Sequence, residues 1–379
     1  MIVKDNTQVS LRIGGIPYPM TNTTFEDVCT VQNACTILPT CRLILNDTTN
    51  FFSSIDLSDG CPISIAMGRS KNDKTYKAFD YILTDVSSID ISNGKQYVIY
   101  GILNNFKWLR VKPHKAYTGT SSIVAKQIAT ECGFTSTNID STDDSQVWMT
   151  SNLSYGQFAQ YLSDRAYVDE NSMIMTSVDE NSIFYYKNIT TIPESFPKPY
   201  TYFYQVKPDS SAKSNYRVTG ISHSKDIGIA NQMYGYDYNL INPRLSGLTK
   251  MSNKVNFKKN YSNKLEINES NLNMGNVRTE YCPPDCGNNH DFYNQAFYKN
   301  KRQRAFYSSD TIIQCEEYCS VNLFDIVRCE DTEIGGINPT EDVYFVVTGK
   351  TRMVTNKLAY VEQYVLTSTG KNTSNSSLR

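Results

Sequence analysis

Tyr344-Phe345-Val346-Val347-Thr348-Gly349, a break at Asn356-Lys357, and Leu358-Ala359-Tyr360-Val361-Glu362-Gln363-Tyr364-Val365-Leu366 together read as a β-hairpin. A similar text stands far upstream. Tyr81-Ile82-Leu83-Thr84-Asp85-Val86 runs to a break at Asn93-Gly94 and returns as Lys95-Gln96-Tyr97-Val98-Ile99-Tyr100-Gly101-Ile102-Leu103. Both hairpins are rich in β-branched and aromatic residues, which suit a pleated, half-buried surface. Both break at Asn, a residue that tolerates positive φ. Two similar β modules so far apart point to duplication, although two unrelated hairpins of one large β domain would share this pattern.

Outward from the hairpins, the chain up to about Lys112 is β-like, as in Cys41-Arg42-Leu43-Ile44-Leu45 and Ile63-Ser64-Ile65-Ala66-Met67. After Pro113 the period changes. Val124, Ile128, Ala129 and Cys132 share one helical face, with serines before them and Gly133 after. A second helix capped by Ser154 carries Phe158, Ala159, Leu162 and Ala166. A hairpin follows, Met173-Ile174-Met175 and Ile183-Phe184-Tyr185-Tyr186 around Asp179-Glu180-Asn181. Pro193, Pro197 and Pro199 then mark a boundary. Tyr200 to Val206 and Tyr216 to Ser222 read as strands, and Thr311-Ile312-Ile313 as another. Between them, Asn239 to Gly287 is Asn-rich and weakly patterned, and a helix is expected from Asp291 to near Ser308.

The 379 residues are enough for two to four domains. A net charge of −1 excludes a general nucleic-acid binder, which carries a basic excess. The 27 tyrosines suit β-sheets and broad protein contacts, since the ring offers area with a polar tip. Met1-Ile2-Val3-Lys4-Asp5-Asn6 has no signal pattern and no run is long enough to span a bilayer, so a cytoplasmic origin, reduced thiols and no membrane binding are expected.

Catalytic chemistry finds little footing. His114, His223 and His290 are isolated, and there is no phosphate-binding glycine loop or GxSxG elbow. Asp143-Asp144 and Glu316-Glu317 read as solvated acidic surface. Cys282, Cys286, Cys315 and Cys319 form two CxxxC pairs, the residues that could supply a structural zinc site. Their spacing is looser than a CxxC knuckle and the second pair falls in an expected strand, so no metal, cofactor or catalytic residue is expected. Cys29, Cys35 and Cys41 read as small buried hydrophobes. The basic run Lys299-Asn300-Lys301-Arg302-Gln303-Arg304 reads as a solvated helix face.

The order of these pieces resembles the central baseplate hub proteins of phage tails, a family typified by the T-even hub and including late-control-type proteins. Leu153-Ser154-Tyr155-Gly156-Gln157-Phe158-Ala159-Gln160-Tyr161-Leu162 resembles the second helix of that family's middle domain. Val343-Tyr344-Phe345-Val346-Val347, Asn356-Lys357 and Tyr360 to Thr367 resemble its last hairpin, and Val321 to Val327 the strand that enters the last barrel. The resemblance implies a β-rich α+β, multidomain chain with two tail-tube-like β-barrel modules and inserted α+β domains. The expected division is a first barrel over 1–112, an α+β insert over 113–192, and a second barrel over 200–238 and 311–369. A second insert occupies 239–310, and 370–379 is a disordered tail.

The same resemblance implies a homotrimer, whose six barrels would match a sixfold tail tube to a threefold central spike. Its implied partners are the tail tube protein, the central spike protein, the tape-measure protein and the baseplate wedge proteins. DNA would meet the chain only in transit through the lumen. The implied location is the virion tail baseplate, after assembly in the host cytoplasm. A host-surface or carbohydrate-binding tail protein is the alternative that tyrosine and asparagine richness leaves open.

Overall fold

The computed structural model describes residues 8–68, 76–168, 172–189, 200–225, 237–241, 251–253, 277–281, 309–331, 341–357 and 359–367. Seven strands come first: β1 (Gln8–Ile13), β2 (Ile16–Pro17), β3 (Phe25–Asn33), β4 (Thr40–Asp47), β5 (Pro62–Gly68), β6 (Lys77–Ile91) and β7 (Gly94–Leu103). A mixed segment follows, with α1 (Phe106–Arg110), β8 (Ala116–Gly119), α2 (Ser121–Glu131), β9 (Ser136–Ile139), β10 (Gln146–Met149), α3 (Tyr155–Arg165), β11 (Ile174–Val178) and β12 (Ile183–Asn188). Next are β13 (Thr201–Tyr204), β14 (Ser214–Arg217) and β15 (Gly220–Lys225), then a small sheet of β16 (Asp237–Ile241), β17 (Met251–Asn253) and β18 (Val277–Tyr281). The last four are β19 (Ser309–Cys315), β20 (Ile326–Asp331), β21 (Glu341–Thr355) and β22 (Tyr360–Thr367).

Fourteen of these strands form one sheet, and that sheet is the same seven-strand pattern written twice. In the first half β2 pairs β1, β1 pairs β5, β5 pairs β6, β6 pairs β7, β7 pairs β4 and β4 pairs β3. In the second half β14, β13, β20, β21, β22, β19 and β15 pair in that same succession. The chain order is also the same once β16–β18 are set aside as an insertion between β15 and β19. One strand breaks the match: β13 is parallel to both its neighbours, whereas β1 is antiparallel to both of its own.

The duplication extends to single residues. Each hairpin carries one bulge on its first strand, at Thr84 between Leu83 and Asp85 and at Thr348 between Val347 and Gly349. These threonines stand 264 positions apart, and each hydroxyl donates across the hairpin, to the Tyr100 carbonyl at 3.2 Å and to the Val365 carbonyl at 3.3 Å. Bulges are placed features that bend a strand, so sharing one at the same site is stronger evidence than shared composition. The acceptors lie 265 positions apart because the second hairpin loop is one residue longer.

The turn chemistry differs from expectation. Neither Asn93 nor Asn356 is left-handed; the positive φ falls at Gly94 (138°), where a Cβ would collide with the Asp47 carbonyl. Asn356 instead donates its N–H to the Glu26 carbonyl at 2.8 Å.

Local signals account for the helices between the two halves. Ser154 and Gln157 form a reciprocal capping box at the start of α3, which buries Phe158, Ala159 and Leu162. The buried Asp144 carboxylate accepts from the Ser121 N–H at 2.7 Å at the start of α2, so this residue is a helix anchor and not solvated surface. Three strands of this segment were not expected: β8 pairs β10, and β9 runs parallel to β12.

Other expectations are corrected in the second half. Tyr216 to Ser222 is divided between β14 and β15, and Val321 to Asp325 is a turn with Phe324 at φ 64°, so only Ile326 and Val327 belong to β20. The expected helix over 291–308, its basic run and the tail 370–379 lie outside the described residues, as does most of 239–287. No described helix is long and apolar enough to cross a membrane.

Candidate functional site at the seam between the two β halves

The two halves meet along one strand. The first part of β21 pairs β20, and from Gly349 to Thr355 the same strand turns its edge to β3, with Gly349 opposite Asn33 and Thr355 opposite Asp27. The Ala34 N–H to the Thr348 carbonyl at 2.7 Å lengthens this ladder at one end, and Asn356 to Glu26 lengthens it at the other. Position 349 must be glycine for space: an added Cβ would lie 2.6 Å from Asn33 Oδ1 and 2.9 Å from Val365 Cγ2.

Strand alternation then sends Lys350, Arg352 and Val354 to one face, and all three are buried. Two of them are cations in mid-strand, so they need partners. Glu362 on β22 is one partner. Its carboxylate lies 3.3 Å from Arg352 Nε and 3.7 Å from Lys350 Nζ, and it accepts from the Tyr360 hydroxyl at 2.5 Å, from the Tyr364 hydroxyl and from the Cys319 N–H at 2.9 Å. Lys350 also donates to the carbonyls of Val321 at 3.0 Å and Cys319 at 3.3 Å.

The second partner comes from the intervening α+β segment. The β11–β12 turn, closed by Asp179 accepting from the Ile183 N–H at 2.8 Å, carries Glu180 into the seam. There Glu180 Oε2 sits 3.0 Å from Arg352 Nη1, and Oε1 accepts from the Tyr81 hydroxyl of β6 at 3.1 Å. Two buried carboxylates thus balance two buried cations, and one cluster joins both β halves and the segment between them. Phe79 and Tyr318 lie 5.4 and 5.7 Å from the Arg352 guanidinium.

The cluster's charge states follow from burial. Burial pushes the Lys350 ammonium below its ordinary value against the pull of Glu362. It also pushes the Tyr81, Tyr360 and Tyr364 hydroxyls up, with the neighbouring glutamates adding to the effect. For Arg352, burial opposes the charge, but Glu180, Tyr360 and Glu362 outweigh it, and the guanidinium stays ionised.

The residues singled out in the sequence fall elsewhere. Cys315 ends β19 and Cys319 lies in the loop after it, both fully buried; burial holds the Cys319 thiol far above its ordinary value, which disfavours the thiolate that zinc requires. Cys282, Cys286 and His290 lie outside the described residues. Among the described residues no group of three or more His, Cys, Asp or Glu is placed to hold a metal. Cys29 and Cys41 are buried, while Cys35 is half-buried at φ 63°. Tyr364 of β22 is fully buried, with its ring 5.5 Å from Phe203. Glu180, Lys350, Arg352 and Glu362 were missed, although charges at alternating positions of a strand as apolar as β21 are themselves a signal of paired burial.

No family model and no curated protein matches the sequence. The fold does match solved structures. A tail protein from Neisseria meningitidis aligns with a TM-score of 0.60 at 11% identity over 96% of each chain. The 43 kDa tail protein of prophage MuSo2 from Shewanella oneidensis aligns at 0.61 and 8% identity, over 96% of this chain and 97% of that one. A chain of a half-lidded Francisella PdpA-VgrG complex aligns at 0.50 and 10% identity, with 96% of this chain covering 58% of that one. This chain therefore has a β-rich α+β fold shared with tail proteins.

Proposed function

We propose that this chain is a structural component of a phage tail, the central hub of its baseplate, with no catalytic role. The observation that carries the reading is the duplicated seven-strand module, joined edge to edge within one chain; the fold shared with the two tail proteins supports it. A chain with two equivalent modules gives six modules in a homotrimer, which matches a sixfold tail tube on one side and a threefold spike on the other. The ring surrounds a channel for DNA and the tape-measure protein, and its rim meets the baseplate wedge proteins. Its place is the virion tail, reached after assembly in the host cytoplasm.

In this reading residues 1–112 are the first tube-like module and 113–192 an α+β insert. Residues 200–238 and 311–369 are the second module, interrupted by an insert over 239–310 and followed by a tail over 370–379. The pairing of β15 with β19 across the interruption supports joining the two pieces.

Light scattering on the purified chain, alone and with its spike protein, tests the assignment. A particle of three times the 43.0 kDa chain mass is expected. A chain that stays monomeric in both mixtures contradicts it.

A further inference from the structure

The seam inside the chain has a counterpart that one chain leaves open. On β21 the residues after the bulge pair β3. On β6 the residues after the equivalent bulge, Asp85 to Ile91, pair β7 on one side and nothing among the described residues on the other. The strand equivalent to β3 is β15, which pairs β19 and likewise has no partner on its other edge among the described residues. Thus each half offers one edge of each type, and only one of the two possible junctions is made within a chain.

We propose that the Asp85–Ile91 edge of β6 pairs antiparallel with the β15 edge of a second copy of this chain. The register follows from the internal seam. Thr30 of β3 and His223 of β15 occupy equivalent places, each opposite the residue of β4 or β19 (Cys41 or Thr311) that faces Gly101 or its counterpart Leu366. Arg352 faces Thr30 inside the chain, and its counterpart on β6 is Ser88. Across copies, therefore, Ser88 stands opposite His223, Val86 opposite Lys225, Ile89 opposite Ser222 and Ile91 opposite Gly220.

Physical arguments favour this occupant over water. Ile89 is 63% exposed and Ile91 36% exposed on an edge that contains no proline, so each residue there keeps its N–H. Such an edge is a template for strand addition. The contact joins unlike surfaces, β6 of one copy to β15 of the next, so it propagates head to tail, as the ring proposed above requires. The two seams differ in chemistry. Lys350, Arg352 and Glu362 of the internal seam correspond to Val86, Ser88 and Tyr97, so these positions bring no charge to the junction between copies. The pairing rests on the ring proposed above only for the number of copies that close.

Cysteines placed at Ile89 and Ser222 of the full chain and then oxidised test the register. The expected result is disulfide-linked oligomers, at least tenfold above both the unsubstituted chain and an Asp90→Cys/Ser222→Cys chain, which is one residue out of register and faces the opposite side. Ile89→Lys, at an exposed position, should weaken association at least tenfold without moving the thermal midpoint. Oligomers that form but cross-link no better than the out-of-register chain overturn the pairing and leave the ring standing. A chain that neither associates nor cross-links, alone or with its spike protein, overturns both.

Discussion

Glu180, in a hairpin turn of the α+β segment, lies 3.0 Å from Arg352, in the middle of a strand of the second β half. The side chains are 1% and 6% exposed, and both also reach the first half, Glu180 through Tyr81 and Arg352 through Phe79. Three regions distant in sequence therefore depend on one ion pair. Arg352→Met leaves Glu180 buried without its cation and is expected to cost about 3–5 kcal/mol, measured by urea unfolding. The double substitution Arg352→Met/Glu180→Leu should cost clearly less than the sum of the single changes. Additive costs would mean that the two side chains act independently.

Tyr364→Glu places a carboxylate in a fully buried site already occupied by Glu362. It should abolish the folded chain and not merely its assembly, as read by loss of near-ultraviolet circular dichroism. Tyr364→Phe should fold, with a loss of about 1 kcal/mol. A soluble, folded Tyr364→Glu monomer would contradict the burial of this side chain.

Gly349→Ala drives a methyl into Asn33 and Val365 where β21 leaves its bulge. A destabilisation of about 1–3 kcal/mol is expected. Hydrogen exchange should show the loss concentrated along Gly349–Thr355 and Asp27–Asn33, the two strands of the seam. A uniform loss would place the strain elsewhere.

Alkaline pH should open the cluster. Tyr81, Tyr360 and Tyr364 have hydroxyl pKa values raised in the folded chain, chiefly by burial. Their contribution is complete below the unfolded value of about 10 and is lost as pH rises toward the folded values, because only the unfolded chain releases those protons. Each such tyrosine steepens the fall by about 1.4 kcal/mol per pH unit. Urea midpoints should fall above about pH 10 together with the appearance of tyrosinate absorbance, and less steeply in Tyr360→Phe. Equal slopes in the two chains would show that Tyr360 ionises alike in both states.

The two hairpins were legible because β-branched and aromatic alternation is a local signal, and the helices because the Ser154–Gln157 box and the apolar face of α2 are local as well. The registers were not legible. Thr84 and Thr348 are ordinary strand residues in the sequence, and only pairing shows that both are bulged. Short strands such as β8 and β9 owe their existence to partners about 30 and 47 residues away, which no propensity reports. Glu180 read as a turn residue because its partner, Arg352, is 172 positions distant. The burial of Tyr364 was not legible either, because the alternation of β22 does not say which face meets the core.

In the proposed ring, one chain supplies two equivalent modules. Electron-microscopic class averages of the assembled particle, viewed down its axis, test it most directly. Three chains displaying six like-sized lobes around an open channel are expected. A closed dimer, or a trimer whose averages show three lobes with no sixfold repeat, would contradict it.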